Sequence, residues 1–282
     1  MKVLVTGVNG QVGSELRDLS TSYQNFDFVF SSRVDFPLQD LDSISVFLDC
    51  TKPDIIVNTA AYTAVDLAED EPDIAEAINH LAVKEIADWC QKNDAKLIHI
   101  STDYVFDGHA DRPLTEDTEK APINEYGKSK HLGEEAILKS TAAAIIIRTA
   151  WVYSPYGRNF VKTMLRLMEE RDEIAVVNDQ IGSPTYARDL AFAILEIISS
   201  NKWKKGIYHY ANEGGISWCD FAYAIRDIKQ IDCKIVGIPT ASYPTPAKRP
   251  MYSLLDKRKV KQTFGLQVPE WRTSLAICLN NL

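Results

Sequence analysis

Lys2-Val3-Leu4-Val5-Thr6-Gly7-Val8-Asn9-Gly10-Gln11-Val12-Gly13 stands at the start of the chain, and its reading decides the fold. Lys2–Thr6 has the apolar run of a buried strand, and Gln11–Leu19 reads as a helix. Between them the glycines are spaced Gly-x-x-Gly-x-x-Gly. Glycine permits a tight turn and lets backbone N–H groups approach a pyrophosphate, while the following helix N-terminus adds partial positive charge. The spacing is one residue longer than the G-x-G-x-x-G fingerprint. A plain glycine-rich turn is the competing explanation, but a strand before and a helix after favour a dinucleotide. Gly7, Asn9, Gly10, Gln11, Val12 and Gly13 are therefore the candidate pyrophosphate contacts.

Outward from this loop, short apolar runs alternate with helical patterns. Strands are expected over Asp27–Ser31, Asp54–Asn58, Lys96–Ser101 and Ala144–Arg148, and helices over Asp42–Cys50, Ala75–Gln91 and Asn124–Lys139. In Ala75–Gln91 the apolar residues Ile78, Leu81, Ala82, Ile86 and Trp89 recur near the 3.6-residue period. Such alternation predicts an α/β, Rossmann-type, doubly wound parallel sheet with helices on both faces. Ligands bind such sheets beyond the C-terminal strand ends, at the point where strand order reverses. Residues 1–150 read as an NADP(H)-binding domain. After Arg148, prolines at 155, 184, 239, 244, 246 and 250 punctuate shorter elements. Residues 151–282 are expected to form mainly a smaller C-terminal substrate-binding lobe, with the amphipathic helix 186–198 returning to the first domain.

The end of the second strand selects the cofactor. An acidic residue there binds the ribose 2′-OH of NAD, whereas arginine accommodates the 2′-phosphate of NADP. The sequence is Ser31-Ser32-Arg33-Val34-Asp35-Phe36, which favours NADP(H) through Arg33. Asp35 keeps NAD(H) open, and Phe36 is a further cofactor-side candidate. For Arg33 the competing explanation is a solvated surface charge.

Tyr126-Gly127-Lys128-Ser129-Lys130 contains Y-x-x-x-K. Residues four apart share a helix face. Lys130 is thus expected beside the Tyr126 hydroxyl, where an ammonium would stabilise phenolate and lower a pKa that is ordinarily about 10. Tyr126 would then serve as a general acid toward a carbonyl. Upstream, Ser101-Thr102-Asp103-Tyr104 ends the fourth strand, and the Thr102 hydroxyl is the candidate for stabilising the developing alkoxide. Tyrosine and lysine are common on exposed helices, and threonine is common at strand ends. The glycine loop, strand-end threonine and downstream Y-x-x-x-K together are far more specific.

The chain has 282 residues, a net charge of −8 and a pI of about 5.2. A duplex-binding protein normally shows a basic face, so no nucleic-acid partner is expected. The five cysteines, Cys50, Cys90, Cys219, Cys233 and Cys278, form no C-x-x-C pair. Reduced thiols and a cytoplasmic location are expected. No signal peptide, membrane-spanning run or metal-ligand spacing is legible.

With these residues in view, the chain resembles the extended short-chain dehydrogenase/reductases, and within them the dTDP-4-dehydrorhamnose reductase family. The resemblance rests on Gly7–Gly13, on Asn58-Thr59-Ala60-Ala61-Tyr62-Thr63-Ala64-Val65-Asp66, and on Ser101-Thr102-Asp103-Tyr104-Val105-Phe106-Asp107-Gly108. It continues through Tyr126–Lys130, Arg148-Thr149-Ala150-Trp151-Val152-Tyr153, Gly182-Ser183-Pro184-Thr185 and Tyr243-Pro244-Thr245-Pro246-Ala247-Lys248-Arg249-Pro250. It implies reduction of the C4 keto group of dTDP-4-dehydro-L-rhamnose by NADPH, with Thr102, Tyr126 and Lys130 catalytic. Ala60, Ala61 and Tyr62 would lie along the cofactor. Asp103, Tyr104 and Trp151 would join Thr102 and Tyr126 around the sugar, and Lys248 and Arg249 would take the nucleotide diphosphate. Some members bind magnesium at a dimer interface; no metal is expected here, and a homodimer stays open. Two rivals share these motifs: a reductase or epimerase acting on another nucleotide sugar, and a non-catalytic NADP-binding regulator resembling the methionine adenosyltransferase regulatory subunit.

Overall fold

The computed structural model describes residues 1–200 and 202–282. The first half runs β1 (Lys2–Thr6), α1 (Gln11–Ser20), β2 (Asp27–Ser31), α2 (Leu41–Thr51), β3 (Ile55–Asn58), α3 (Pro72–Glu76), α4 (Ala82–Asn93), β4 (Lys96–Thr102), α5 (Glu125–Lys139) and β5 (Ala143–Thr149). The second half runs β6 (Val152–Tyr153), α6 (Phe160–Glu170), β7 (Glu173–Val177), β8 (Ile181–Gly182), β9 (Thr185–Tyr186), α7 (Ala187–Ser199), β10 (Gly206–His209), β11 (Ile216–Ser217), α8 (Trp218–Lys229), β12 (Lys234–Ile238), α9 (Arg258–Phe264) and α10 (Trp271–Asn280).

The main sheet is six-stranded and parallel, in the order β10-β5-β4-β3-β1-β2. Strand order reverses at β1, which pairs with β2 on one side and β3 on the other. Buried and exposed side chains do not alternate along β1, because both sheet faces are covered: Val3, Leu4 and Val5 are all fully buried. One face packs on α2, α4 and α5 through Leu48, Ile86 and Ile137, and the other on α1, α7 and α9 through Leu16, Ile194 and Val260. This is the α/β Rossmann-type sheet the sequence predicts. A separate cluster built from α6, α8, α10, β7 and β12 joins Met164, Phe221, Ile235 and Leu275.

Two departures are informative. The helix expected over Ala75–Gln91 is broken by a π-helical turn at Ala77–Leu81. The wider turn brings the buried Asn79 side chain to the loop after β3, where it accepts from Tyr62 N (2.9 Å) and donates to Tyr62 O (3.0 Å) and Ser129 Oγ (3.1 Å). Such bulges are frequent beside functional sites. Second, β10 and α9 come from the stretch read mainly as the smaller lobe, yet β10 extends the main sheet at β5 and α9 packs against it. β10 reads Gly-Ile-Tyr-His and lacks the aliphatic run that marks the equally short β3, so it does not announce itself.

Candidate functional site

The C-terminal ends of β1, β3, β4 and β5 open into one cleft of about 730 Å³. Its floor is the glycine loop. Gly7 sits at φ +70°, and a β-carbon there would lie 2.8 Å from Ala60 N, so the turn needs glycine both for its conformation and for its approach to β3. A β-carbon on Gly13 would run into the Gly7 carbonyl, which is why Gly13 holds α1 against the turn without itself lining the cleft. The α1 N-terminus has no side-chain cap and no acidic residue in its first turn. Its N–H groups are thus suited to an anion. Gly7, Asn9, Gly10, Gln11 and Val12 line the cleft. The Gln11 amide also donates to Val152 O (3.1 Å) and accepts from Asn159 Nδ2 (2.9 Å), tying the loop to the segment after β5.

Beyond β2, Arg33 and Phe36 line the cleft and Asp35 does not. The Asp35 carboxylate accepts from Ser32 N (2.9 Å) and Ser32 Oγ (2.7 Å), which hold its pKa down. After β3, Ala60 and Ala61 line the cleft. Tyr62, expected along the cofactor, instead turns into the core under α4 and donates its hydroxyl to Glu71 (2.7 Å). Its neighbours Thr63 and Val65 line the cleft in its place.

Thr102, Asp103, Tyr104, Tyr126 and Lys130 come together in the cleft wall. Helix α5 starts where it does because Asn124 caps it, accepting from Gly127 N (2.7 Å). Tyr126 packs edge-to-face on Tyr104, with ring centroids 5.6 Å apart. Thr102 Oγ1 donates to Asp103 Oδ1 (3.1 Å) and accepts from Tyr104 N (3.2 Å). Asp103 Oδ2 is buried without a partner, and burial pushes the carboxyl up to about 6. The neighbouring Ser253 and Thr102 side chains pull the other way.

The electrostatics of the Tyr126–Lys130 pair differ from the sequence argument. Burial pushes the Tyr126 phenol up to about 12, with the adjacent Thr102 hydroxyl pulling the other way. Lys130, on the same helix face, spends its ammonium elsewhere: Nζ donates to Ile100 O (2.7 Å) and meets His99 Nε2 at 3.2 Å. Burial lowers Lys130 to about 8, offset by Glu134. Desolvation and the nearby Asp103 raise the phenol, and Lys130 is not among the groups that lower it, contrary to the expectation from the Y-x-x-x-K spacing.

Trp151 reaches the cleft at φ +48°, a strained value for a bulky residue. It is held by a stack on Trp218, with centroids 3.5 Å apart and planes 12° apart. Trp218 and Arg158 also line the cleft and were missed from sequence. The signal for Arg158 was a cation in the Pro155-Tyr156-Gly157-Arg158 turn; Trp218 carried none, since its placement depends on α8 docking across the cleft. Lys248 and Arg249 do not line the main cleft. They border an adjoining depression of about 610 Å³ with Thr240, Tyr243 and Met251. Arg249 pairs with Asp66 (2.8 Å), and Lys248 O accepts from the Asn124 amide (2.8 Å), which fastens this loop to the start of α5.

The family model described as the RmlD substrate binding domain matches residues 1–282. A dTDP-4-dehydrorhamnose reductase from Escherichia coli (strain K12) is 40% identical over 294 residues, covering 100% of this chain and 98% of that protein. Two solved dTDP-4-dehydrorhamnose reductases are similar throughout. The one from Clostridium acetobutylicum ATCC 824 has a TM-score of 0.96 at 38% identity, covering 100% of this chain and 99% of its own. The one from Bacillus anthracis str. Ames, in complex with NADP, has a TM-score of 0.95 at 37% identity with the same coverage.

Proposed function

The chain belongs to the RmlD substrate binding domain family, and from that premise we propose that it is an NADPH-dependent oxidoreductase that reduces the C4 keto group of dTDP-4-dehydro-L-rhamnose to give dTDP-L-rhamnose. One observation carries this reading. The uncapped α1 N-terminus with its glycine turn, and the Thr102, Asp103, Tyr126 and Lys130 side chains, face the same cleft. A dinucleotide held by the loop would end beside the tyrosine.

The cofactor's contribution is a hydride for C4. The protein's residues do the rest. Arg33, on the cleft wall beyond β2, takes the 2′-phosphate, and the α1 N–H groups take the pyrophosphate. Tyr126 gives its proton to O4 as the carbonyl π electrons move onto that oxygen. A phenol held up near 12 keeps its proton at neutral pH and is ready to donate. The Thr102 hydroxyl donates to the same oxygen. Once Tyr126 becomes phenolate, the Lys130 ammonium stabilises it until solvent returns the proton. Asp103 stands on the sugar side of the cleft, the Trp151–Trp218 stack walls the sugar, and Lys248 and Arg249 take the nucleotide diphosphate. Arg158 is a second cation available on the dinucleotide side.

The test is a turnover assay with enzymatically made dTDP-4-dehydro-L-rhamnose, run in parallel with NADPH and NADH. NADPH oxidation matched by formation of dTDP-L-rhamnose is the expected result. Absence of turnover, together with stable co-purification of a second protein chain, would favour a regulatory subunit.

A further inference from the structure

Behind Lys130 lies a polar chain that the proposed chemistry does not use. His99, in the middle of β4, is fully buried, and its Nε2 meets Lys130 Nζ at 3.2 Å. Its Nδ1 lies 3.1 Å from the Asn58 amide nitrogen, and Asn58 Oδ1, at the end of β3, accepts from Thr6 Oγ1 at 2.6 Å. Thr6 ends β1, and its Oγ1 also accepts from Ala60 N (3.3 Å). The strand registers place these groups side by side, with Thr6 paired to Asn58 and Asn58 to His99. A buried polar chain across three central strands costs stability unless each member is satisfied, and here each member hands its partner to the next.

We propose that His99 is a positioning residue for Lys130, holding its Nζ together with the Ile100 carbonyl, and that Asn58 and Thr6 fix His99 in turn. The proposal rests on the reductase reading of this same cleft. Proton inventory defines how the chain works. An ammonium has only donors, so charged Lys130 requires a lone pair on His99 Nε2 and the ring proton on Nδ1. The structure has the Asn58 amide nitrogen on Nδ1 and the amide oxygen accepting from Thr6 Oγ1, the array that leaves Nε2–H to donate to a neutral Lys130 amine. Charged Lys130 is served by the opposite array, with the amide turned half round so that its oxygen accepts from Nδ1–H and its nitrogen faces Thr6. His99 itself stays uncharged, because burial and the facing Lys130 hold its pKa well below the ordinary value.

The other ionisable groups around Lys130 are Tyr126 and Glu134 on its own helix, Asp103 after β4, and Arg148 on β5. Glu134 is already committed, accepting from Arg148 Nε (2.8 Å) and Nη2 (2.6 Å) and from Ser101 Oγ (2.5 Å). His99 is thus the side chain that touches Nζ. Removing its lone pair takes a partner from the ammonium and favours the neutral amine. Turnover that depends on charged Lys130 should then fail at lower pH.

The experiment compares wild type, His99→Leu and His99→Gln for unfolding midpoint, NADPH affinity, and kcat across pH. Leucine keeps the volume and removes the hydrogen bonds, whereas glutamine can again offer Nζ an oxygen. The expected result for His99→Leu is a folded protein with kcat down on the order of ten- to a hundredfold and the alkaline fall of kcat moved to lower pH. His99→Gln should recover most of both. If His99→Leu does not fold, Thr6→Val reports from the far end, with a smaller loss of kcat and a displacement in the same direction. Wild-type kcat and an unmoved pH profile in the folded variants would overturn the proposal. A wild-type enzyme that does not turn over would overturn the reductase reading instead.

Discussion

Tyr126 and Lys130 are nine-tenths or more out of solvent, and burial acts on them in opposite senses, raising the phenol to about 12 and lowering the amine to about 8. Each shift favours the neutral form, as desolvation must. On the proposed chemistry this is useful: a tyrosine donor would stay protonated, and the amine titrates close enough to neutrality to answer its surroundings. Tyr126→Phe keeps the ring packed on Tyr104 and removes the proton. Turnover should fall about 10²–10⁴-fold while NADPH titration of protein fluorescence stays near wild type. Retained turnover would remove Tyr126 from the chemistry. Arg33 raises a second residue-scale question, since Asp35 is occupied by Ser32 and leaves Arg33 as the charged side chain facing the cleft from that turn. Arg33→Ala should weaken NADPH binding and spare NADH, because only NADPH carries the 2′-phosphate. Equal losses for both cofactors would assign Arg33 another task.

Local order at the level of elements depends on how closely they approach. Where α1 crosses the glycine turn, a β-carbon at Gly13 would meet the Gly7 carbonyl and lie 2.8 Å from Val8 Cα. Neither is a flexible side-chain end, so the turn itself must move. Gly13→Ala should therefore cost about 1–3 kcal/mol in urea unfolding and lower NADPH affinity by at least about tenfold, roughly 1.4 kcal/mol. An unchanged affinity would show that the turn tolerates displacement. The same contrast between local and tertiary information explains what could be seen in advance. Strands β1, β3, β4 and β5 were legible as largely apolar runs covered on both faces, whereas β2, at the sheet edge, keeps Phe28, Val29 and Phe30 only half-buried. Thr102, Tyr126 and Lys130 were legible because a strand end and an i, i+4 helix pair are local geometry. Tyr62 was misplaced because alternation cannot tell which side of a loop turns inward, and the core under α4 claimed it. Asp35 was ambiguous because its partner, Ser32, is fixed only by the fold of the turn. Trp218 lies 67 positions after Trp151, and nothing local joins them before α8 docks.

The whole molecule is organised around a seam. The Gln11 amide, the Arg249–Asp66 pair and the Asn124–Lys248 bond each join the main sheet's loops to segments after β5. On the function proposed above, cofactor and sugar nucleotide would have separate anchors, one at the α1 N-terminus and one beside the Lys248–Arg249 loop. Replacing Arg249 with alanine should raise the sugar-nucleotide KM roughly ten- to a hundredfold, the worth of a charge-assisted hydrogen bond, and leave the NADPH KM nearly unchanged. The reverse pattern in steady-state kinetics would place the nucleotide diphosphate elsewhere. Among the described residues no helix is long and apolar enough to cross a membrane. If one cleft brings the dinucleotide's hydride to C4 of a 4-keto sugar nucleotide under Tyr126, the transferred atom can be followed by running the reaction with NADPH carrying deuterium at the transferable position and analysing the sugar by NMR and mass spectrometry. One deuterium per product molecule, located at C4, is expected, with almost no labelled product from Tyr126→Phe. Product lacking deuterium, or deuterium at another carbon, would contradict it.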